Sequence, residues 1–574
     1  MDAPTGLSRW VPGIALLRGG RRRLLRHDLL AGTVLAALLV PQGMAYAQLA
    51  GLPPVTGLYA TLVPLVVYFL LGPSRILILG PDSAVSPLVA AAIVPLAAGG
   101  DPSERVALAG ALALMVGILM VVGGMARFGF LTELLSMPVR LGYLMGIAVT
   151  VIVAQLPGLF GFSVEAESLI PALRGFAGAL DETNASALAL GAGSLVLILG
   201  LRRVAPRVPG VFLAVLGSTM VVAVLGLSDE VPVVGTIPQG LPAFAVPDIS
   251  LEDLKTLIPA AVGIAFVAFA DTSVLSRSYA GRIGQEVDQN QELAVLGAAN
   301  VATGLFQGFP LSTSSSRTAV AEDLGARSQL AGLVGAVILA VLLLVGTGLL
   351  QDLPVATLAA IVIVAVLGLF DVRGALRLRR WRRSEFWLAM VAFAGVALFG
   401  VLWGVGIAIV VSLLNFVRRA WRPHDAVLGR VDGMKGYHDL ERHPDARRIP
   451  GLTLFRFDAP LFFANADAFR ERVRRLAREP GTVWIVVAAE PITDVDATAG
   501  EMLGALNAEL DAMGIEIAFA ELKDPVRDRL VSYGIDDAIG RQWFWPTLGA
   551  AVSAYLRQTG VAWEDWEDRE PPTP

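Results

Sequence analysis

The sequence predicts a membrane all-α bundle of fourteen segments in a 7+7 inverted repeat, followed by a soluble α/β domain. Three observations predict this. Of the 574 residues, 55% are hydrophobic and only 17% charged, and mean hydropathy is +0.65, too apolar for a soluble chain of this size. The apolar mass lies before Trp421, in back-to-back runs of the roughly 20 residues that cross a bilayer. A constant offset of 229 maps Pro81 onto Pro310, Ser83 onto Ser312, Ser86 onto Ser315 and Gln42 onto Asp271, as an internal repeat would.

The segments fall at about 28–48, 54–72, 76–97, 104–125, 130–156, 185–201, 208–227, 256–278, 289–308, 312–323, 328–349, 353–369, 384–400 and 402–418. The third is broken by Gly80-Pro81 and the tenth is too short to cross alone, so both read as half-helices. With a cytoplasmic N-terminus, one set of loops holds Arg75, Arg127, Arg202, Arg203, Arg207, Arg277, Arg282, Arg327 and the run from Arg373 to Arg383. The opposite loops hold only Arg105, Arg174 and Lys255. This positive-inside bias fits an even number of spans and puts the C-terminal domain in the cytoplasm. Seven is odd, so the second copy is upside down, and the two half-helices point their N-termini at each other near the midplane. The transport domain reads as 1–423, with repeats about 28–227 and 256–420.

Several chemistries are excluded. The chain has no cysteine, hence no disulfide and no thiolate metal site. Its four histidines, His27, His424, His438 and His443, lie outside the spans, which excludes a membrane-embedded imidazole site. The basic start (Arg18, Arg21, Arg22, Arg23, Arg26) leads into a full span, not a cleavable signal peptide. The net charge of −5 averages two unlike halves and says little about partners.

The half-helices carry the chemistry. Gly80-Pro81-Asp82-Ser83-Ala84-Val85-Ser86 and Phe309-Pro310-Leu311-Ser312-Thr313-Ser314-Ser315-Ser316-Arg317 each join a proline to small hydroxyl residues and an apolar helical run. A helix that starts inside the bilayer exposes unpaired N–H groups and the positive end of its dipole, and an anion satisfies both. One such motif alone would read as an ordinary proline kink; a pair at equivalent repeat positions reads as a binding device. Arg317, at membrane depth, either adds positive potential to the anion or pairs with Glu322, Asp323 or Asp271. Asp271 sits alone among carboxylates in the body of the eighth span. It either takes up a coupling cation, offsetting the cost of anion entry against an inside-negative potential, or serves as a fixed counter-ion. Asp82 is a good helix cap but would repel an anion if ionised and facing it. Gln42 is a substrate contact by its symmetry with Asp271, and Gln155 reads as an interhelical hydrogen bond.

The stretch Val40-Pro41-Gln42-Gly43-Met44-Ala45-Tyr46-Ala47 with Gly51-Leu52-Pro53-Pro54-Val55-Thr56-Gly57-Leu58-Tyr59, the two half-helix motifs, and Asn290-Gln291-Glu292-Leu293…Gly297…Asn300…Gly304 resemble the sulfate permease (SulP) family. The resemblance covers essentially the whole chain. It implies a fold like that of uracil permeases, with core and gate subdomains, elevator-type alternating access, a homodimer in the inner membrane and a cytoplasmic STAS domain. It places the anion between the third and tenth helices, at positions matched by Ser83, Ala84, Val85, Ser86, Ser314, Ser315, Ser316 and Arg317. It ties cation coupling to an acidic residue of the eighth helix, matched by Asp271 with Thr272 beside it. Asp82 and the serine-rich 312–316 run depart from what every member would show.

The expected function is therefore secondary transport of a small inorganic oxyanion, sulfate foremost, coupled to H+ or Na+. Bicarbonate or a dicarboxylate is the nearest alternative substrate, and an uncoupled anion channel the alternative mechanism. A nucleobase permease or a tethered signalling module are the remaining rivals. No enzymatic activity, cofactor, nucleic-acid partner or metal is expected, apart from Na+ near Asp271.

Residues 424–561 read as α/β: strands at Leu452–Phe457, Val483–Ala488 and Ile515–Ala520 alternate with helices at Ala466–Arg478, Ala497–Met513 and Pro525–Tyr533. Thr498 matches the residue phosphorylated in the STAS loop of anti-sigma antagonists; the simpler reading is a helix capped by Asp496 or Thr498. Residues 562–574 read as an acidic disordered tail.

Overall fold

A computed structural model describes residues 22–568 except 98–100, 131–135, 165–168, 206–207, 283 and 285. Arg18, Arg21, Arg207 and tail residues 569–574 lie outside the described residues. The chain divides into two compact units that meet in sequence at Ser412 and Leu413.

In the first unit, α1 (Arg22–Leu49) and α2 (Pro54–Leu71) precede a two-residue strand β1 (Leu79–Gly80) and a short helix α3 (Ser86–Ile93). Then come α4 (Pro102–Met125), α5 (Met137–Phe160), α6 (Leu169–Gly178), α7 (Ala185–Val204) and α8 (Gly210–Leu225). The second half runs α9 (Leu251–Arg282), α10 (Gln289–Leu305), β2 (Ser312–Thr313), α11 (Ser315–Asp323) and α12 (Leu330–Val341). It closes with α13 (Val355–Leu367), α14 (Val372–Trp381) and α15 (Arg383–Phe399), and α16 (Val401–Trp421) runs across the boundary between the units. Eight of the described helical stretches are long and apolar enough to cross a membrane. The third and tenth spans are strand-plus-half-helix units of α3 and α11. The short helices α6 and α14 lie outside the expected spans.

The packing obeys the inverted repeat. α4 packs on α10 as α12 packs on α2; α1 packs on α12 as α9 packs on α4; α5 packs on α15 as α13 packs on α7. These pairings gather α1–α4 and α9–α12 into one bundle and α5, α7, α8, α13 and α15 into another, with α8 and α13 also touching α1. Small residues let the backbones meet. A Cβ on Gly57 of α2 would stand 1.9 Å from the Gly43 carbonyl oxygen of α1, and one on Gly297 of α10 would stand 2.6 Å from that of Gly117 on α4. Helix starts at the membrane boundary are capped by side chains: Asp101 accepts from Ser103 N at 2.9 Å, Asn184 from Ala187 N at 2.9 Å and Asp288 from Asn290 N at 2.9 Å.

The second unit carries a six-stranded sheet in the order β4-β3-β5-β6-β7-β8. Its strands are β3 (Asp425–Arg430), β4 (Tyr437–Asp439), β5 (Leu452–Phe457), β6 (Trp484–Ala488), β7 (Glu516–Ala520) and β8 (Phe544–Trp545). The run β5-β6-β7-β8 is parallel, and β3 pairs antiparallel with both of its neighbours. Helices α17 (Ala466–Ala477), α18 (Ala497–Asp511), α19 (Asp524–Ser532) and α20 (Ile535–Ile539) follow the strands. Their apolar residues, with Phe455, Phe469 and Leu506, form one core. Helix α21 (Leu548–Thr559) closes the other face through Tyr555, packed with Trp484 and Leu452.

Residues 562–568 of the segment expected to be disordered pack against the second unit. Arg430, with 6% of its side chain exposed, holds Asp565 at 2.8 Å and Glu567 at 3.2 Å, and its guanidinium lies 5.6 Å from the Trp566 ring. Arg447 stacks 4.8 Å from the Trp563 ring. Two tryptophans give this acidic segment apolar faces to bury, which composition alone does not register. Tyr437 lies 5.5 Å from the Arg430 guanidinium. Burial pushes its hydroxyl up to about 12, so it stays neutral at physiological pH.

Candidate functional site

The two broken spans meet through their backbones. β1 pairs antiparallel with β2, Leu79 opposite Thr313 and Gly80 opposite Ser312. Ser314 N donates to Ile78 O at 3.1 Å, and Ile78 N donates to Thr318 Oγ1 at 3.1 Å. Each strand leads toward a short helix, β1 toward α3 and β2 into α11. Asn300 of α10 braces the approach to β2, accepting from Leu311 N at 3.0 Å and donating to Leu311 O at 3.3 Å.

Arg317 lies in the first turn of α11 and is 1% exposed. Its Nη2 donates to the Pro81 carbonyl oxygen, in the opposite half. Its Nε and Nη1 are buried without a hydrogen-bond partner. The carboxylates that sequence reasoning offered as partners are engaged elsewhere or exposed: Glu322 pairs with Arg282 at 2.7 Å, Asp271 accepts from Tyr143, and Asp323 is exposed. Among the described residues Arg317 forms no contact ion pair. Gly80 makes the approach possible: its φ is 148°, and a Cβ there would stand 2.7 Å from Arg317 Nη1.

The structure distributes the other expected residues around this point. Ser83, Ala84, Val85 and Ser86 are all buried at the start of α3, and Ser86 Oγ has no partner. Asp82 caps this turn, its Oδ2 accepting from Ala84 N at 3.0 Å, so the amide of Ala84 is already engaged. Ser314 caps α11, accepting from Arg317 N at 3.4 Å, and lies 3.2 Å from Ser316 Oγ. Ser315 and Ser316 are exposed. Gln42 of α1 is 8% exposed with an unpartnered Oε1, and α1 packs on both α3 and α11. Three side chains at the site thus keep buried polar atoms without a partner, those of Arg317, Ser86 and Gln42.

Asp271 and Thr272 tie α9 to its neighbours. Asp271 Oδ1 accepts from the Tyr143 hydroxyl of α5 at 3.0 Å. Thr272 donates to Ala268 O at 2.7 Å and accepts from Thr313 Oγ1 of β2 at 3.2 Å. Asn300 and Thr313 stood in the quoted motifs without a role of their own. Tyr143 was not picked out by sequence reasoning and has no local signal. Among the described residues no group of three or more His, Asp or Glu side chains could hold a metal ion. In the second unit Thr498 is exposed, and Asp496, not Thr498, caps α18, accepting from Ala499 N at 2.8 Å.

The model of the Sulfate permease family matches residues 25–392, and that of the STAS domain matches residues 443–551. A protein of Mycobacterium tuberculosis (strain ATCC 25618 / H37Rv) named as a probable sulfate transporter is 44% identical over 552 residues, 96% of this chain and 98% of that protein. The solved structure of murine solute carrier 26 family member A9, an anion transporter in the inward-facing state, superposes with a TM-score of 0.90 at 22% identity, covering 97% of this chain and 96% of that one. The transmembrane domain of a cyanobacterium bicarbonate transporter superposes with a TM-score of 0.60 at 22% identity, over 69% of this chain and 97% of that one.

Proposed function

The chain belongs to the Sulfate permease family, and on that premise we propose that it is a secondary active transporter of a small inorganic oxyanion, sulfate foremost, coupled to H+ or Na+. It is a transporter and not an enzyme. The observation that carries the substrate class is Arg317: a guanidinium buried at the junction of two half-helices, with two donors unpartnered. Leaving such donors unsatisfied is costly, and an oxyanion is the ligand that would satisfy them with charge as well as geometry. The probable sulfate transporter named above, alike over almost the whole chain, favours sulfate over bicarbonate or a dicarboxylate.

Asp271 is the proposed coupling residue, with Thr272 linking it to the substrate strand. The mechanism proposed is elevator-type. The half-helices ride in the bundle of α1–α4 and α9–α12 and move against the other, and Asp271 reaches across to Tyr143 of that other bundle. Neutralising Asp271 removes a charge at the sliding interface, which links cation binding to motion. The protein is proposed to work as a homodimer in the inner membrane, with the N-terminus and the STAS domain cytoplasmic.

The test is uptake of labelled sulfate, bicarbonate and succinate into proteoliposomes, with H+ and Na+ gradients imposed separately. A coupled sulfate transporter concentrates sulfate under one gradient. Anion-dependent current without accumulation under either gradient would show a channel instead.

A further inference from the structure

We propose that Glu292 is a second proton-binding site, distinct from Asp271, which exchanges its proton with the cytoplasmic solution through the hydroxyls of Ser74 and Ser276. Glu292 lies in the first turns of α10 and is 0% exposed. Its Oε1 accepts from the Tyr68 hydroxyl of α2 at 2.5 Å, and its Oε2 accepts from Ser74 Oγ at 2.9 Å and from Ser276 Oγ of α9 at 3.3 Å. The two serine hydroxyls are themselves 3.0 Å apart. Among the described residues no Lys, Arg or His pairs with this carboxylate. A carboxylate buried with hydroxyl partners alone is costly to keep ionised.

The cage suits both protonation states. Hydroxyls donate or accept. With Glu292 ionised, Tyr68, Ser74 and Ser276 all donate to it. With Glu292 protonated, its own O–H donates to one of the serines, which turns its hydroxyl to the other. The residue can therefore titrate without breaking the packing of α2, α9 and α10. The route is short. Ser74 and Ser276 line a small cleft with Arg75, Tyr279 and Val287, at the face that the basic loops mark as cytoplasmic. A proton arriving from water in the cleft joins a serine oxygen as that serine passes its own proton to Glu292 Oε2, leaving the hydroxyls unchanged.

The groups facing Glu292 from each packed element are few. From α2 there is Tyr68, and from the loop after it Arg75, which lines the cleft. From α9 there are Arg277, bonded to Ser273 at 3.1 Å, and Tyr279, stacked under Arg282 at 4.9 Å. Helix α4 brings Glu104 and Arg105 only at its opposite end. The proposal rests on the cation-coupled reading only for its consequence in transport, not for the binding of the proton.

The test is infrared spectroscopy of the full-length protein in lipid, stepped through pH, comparing wild type with Glu292→Gln and Tyr68→Phe. The expected result is a protonated-carboxyl band that is absent in Glu292→Gln and fades in wild type as pH rises. Tyr68→Phe removes a donor to the ionised form, so the fading should move to higher pH. A Glu292 band that never appears, or never fades, overturns the proposal, as does an unmoved midpoint in Tyr68→Phe. In proteoliposomes, Glu292→Gln should keep labelled-anion exchange at fixed pH but lose its response to the pH of the cytoplasmic side. Asp271→Asn in the same assay reports on the coupling reading alone, since the Glu292 band titrates whether or not Asp271 drives accumulation.

Discussion

Arg317 Nη2, on one half-helix, donates to the carbonyl oxygen of Pro81, at the start of the other. One side chain thereby bonds one copy of the repeat to the other. Its Nε and Nη1 stay buried without a partner.

Replacing Arg317 by Ala is expected to weaken anion binding sharply. Hydrogen bonds to charged groups contribute about 1.5–3 kcal/mol each, and ~1.4 kcal/mol is tenfold in affinity, so KM for the transported anion should rise on the order of ten- to a hundred-fold. Arg317→Lys should recover only part of this, because a compact ammonium lacks the planar fork that holds Pro81 O on one nitrogen and offers donors on the others. Initial uptake rates across a range of sulfate concentrations check this; an unchanged KM would make Arg317 structural.

Gly80→Ala should impair transport although it adds one methyl group. The new Cβ would stand 2.7 Å from Arg317 Nη1 and would sit at a φ that L-residues rarely adopt. The guanidinium must move. Binding measured by isothermal titration should fall toward the Arg317→Ala level, with the protein still eluting as a folded species in detergent. Normal affinity in this variant is the outcome that contradicts the geometry.

Asp271→Asn is expected to abolish gradient-driven accumulation and to spare exchange of labelled anion across vesicles at equal concentrations. Tyr143→Phe, which removes the only hydroxyl of that residue, should alter the rate of exchange more than the affinity, because it acts on the contact between bundles. Retained accumulation in Asp271→Asn would move the coupling function to another residue.

Thr313→Val removes the hydroxyl that β2 offers to Thr272 at 3.2 Å. Losing one such buried bond costs about 1 kcal/mol, so a modest fall in melting temperature is expected. Cation dependence of uptake should change with it if Thr272 serves the coupling site. A thermal shift with no change in cation dependence would confine the pair to stability.

Arg430→Ala should free the C-terminal segment in the soluble domain. Asp565, Glu567 and Trp566 all lose their partner, and limited proteolysis should cut between Val561 and Asp568 far sooner than in wild type. Equal cleavage rates would mean that Trp563 on Arg447 suffices to hold the strap.

The sequence by itself determined the apolar segments and the repeat, because bilayer thickness acts on local composition. It also singled out Pro81, Ser83, Ser86, Ser314 and Arg317, since a proline with hydroxyls or an arginine inside an apolar run has few physical explanations. Only the tertiary structure decided which donors remain free. Asp82 and Ser314 each occupy an amide of their own turn, while Arg317 keeps Nε and Nη1. It also decided the partners Tyr143 for Asp271 and Tyr68 for Glu292, 128 and 224 residues away along the chain. Hydrogen bonds between helices far apart in sequence depend on packing angles and on close approach at small residues, and no local pattern of residues encodes these.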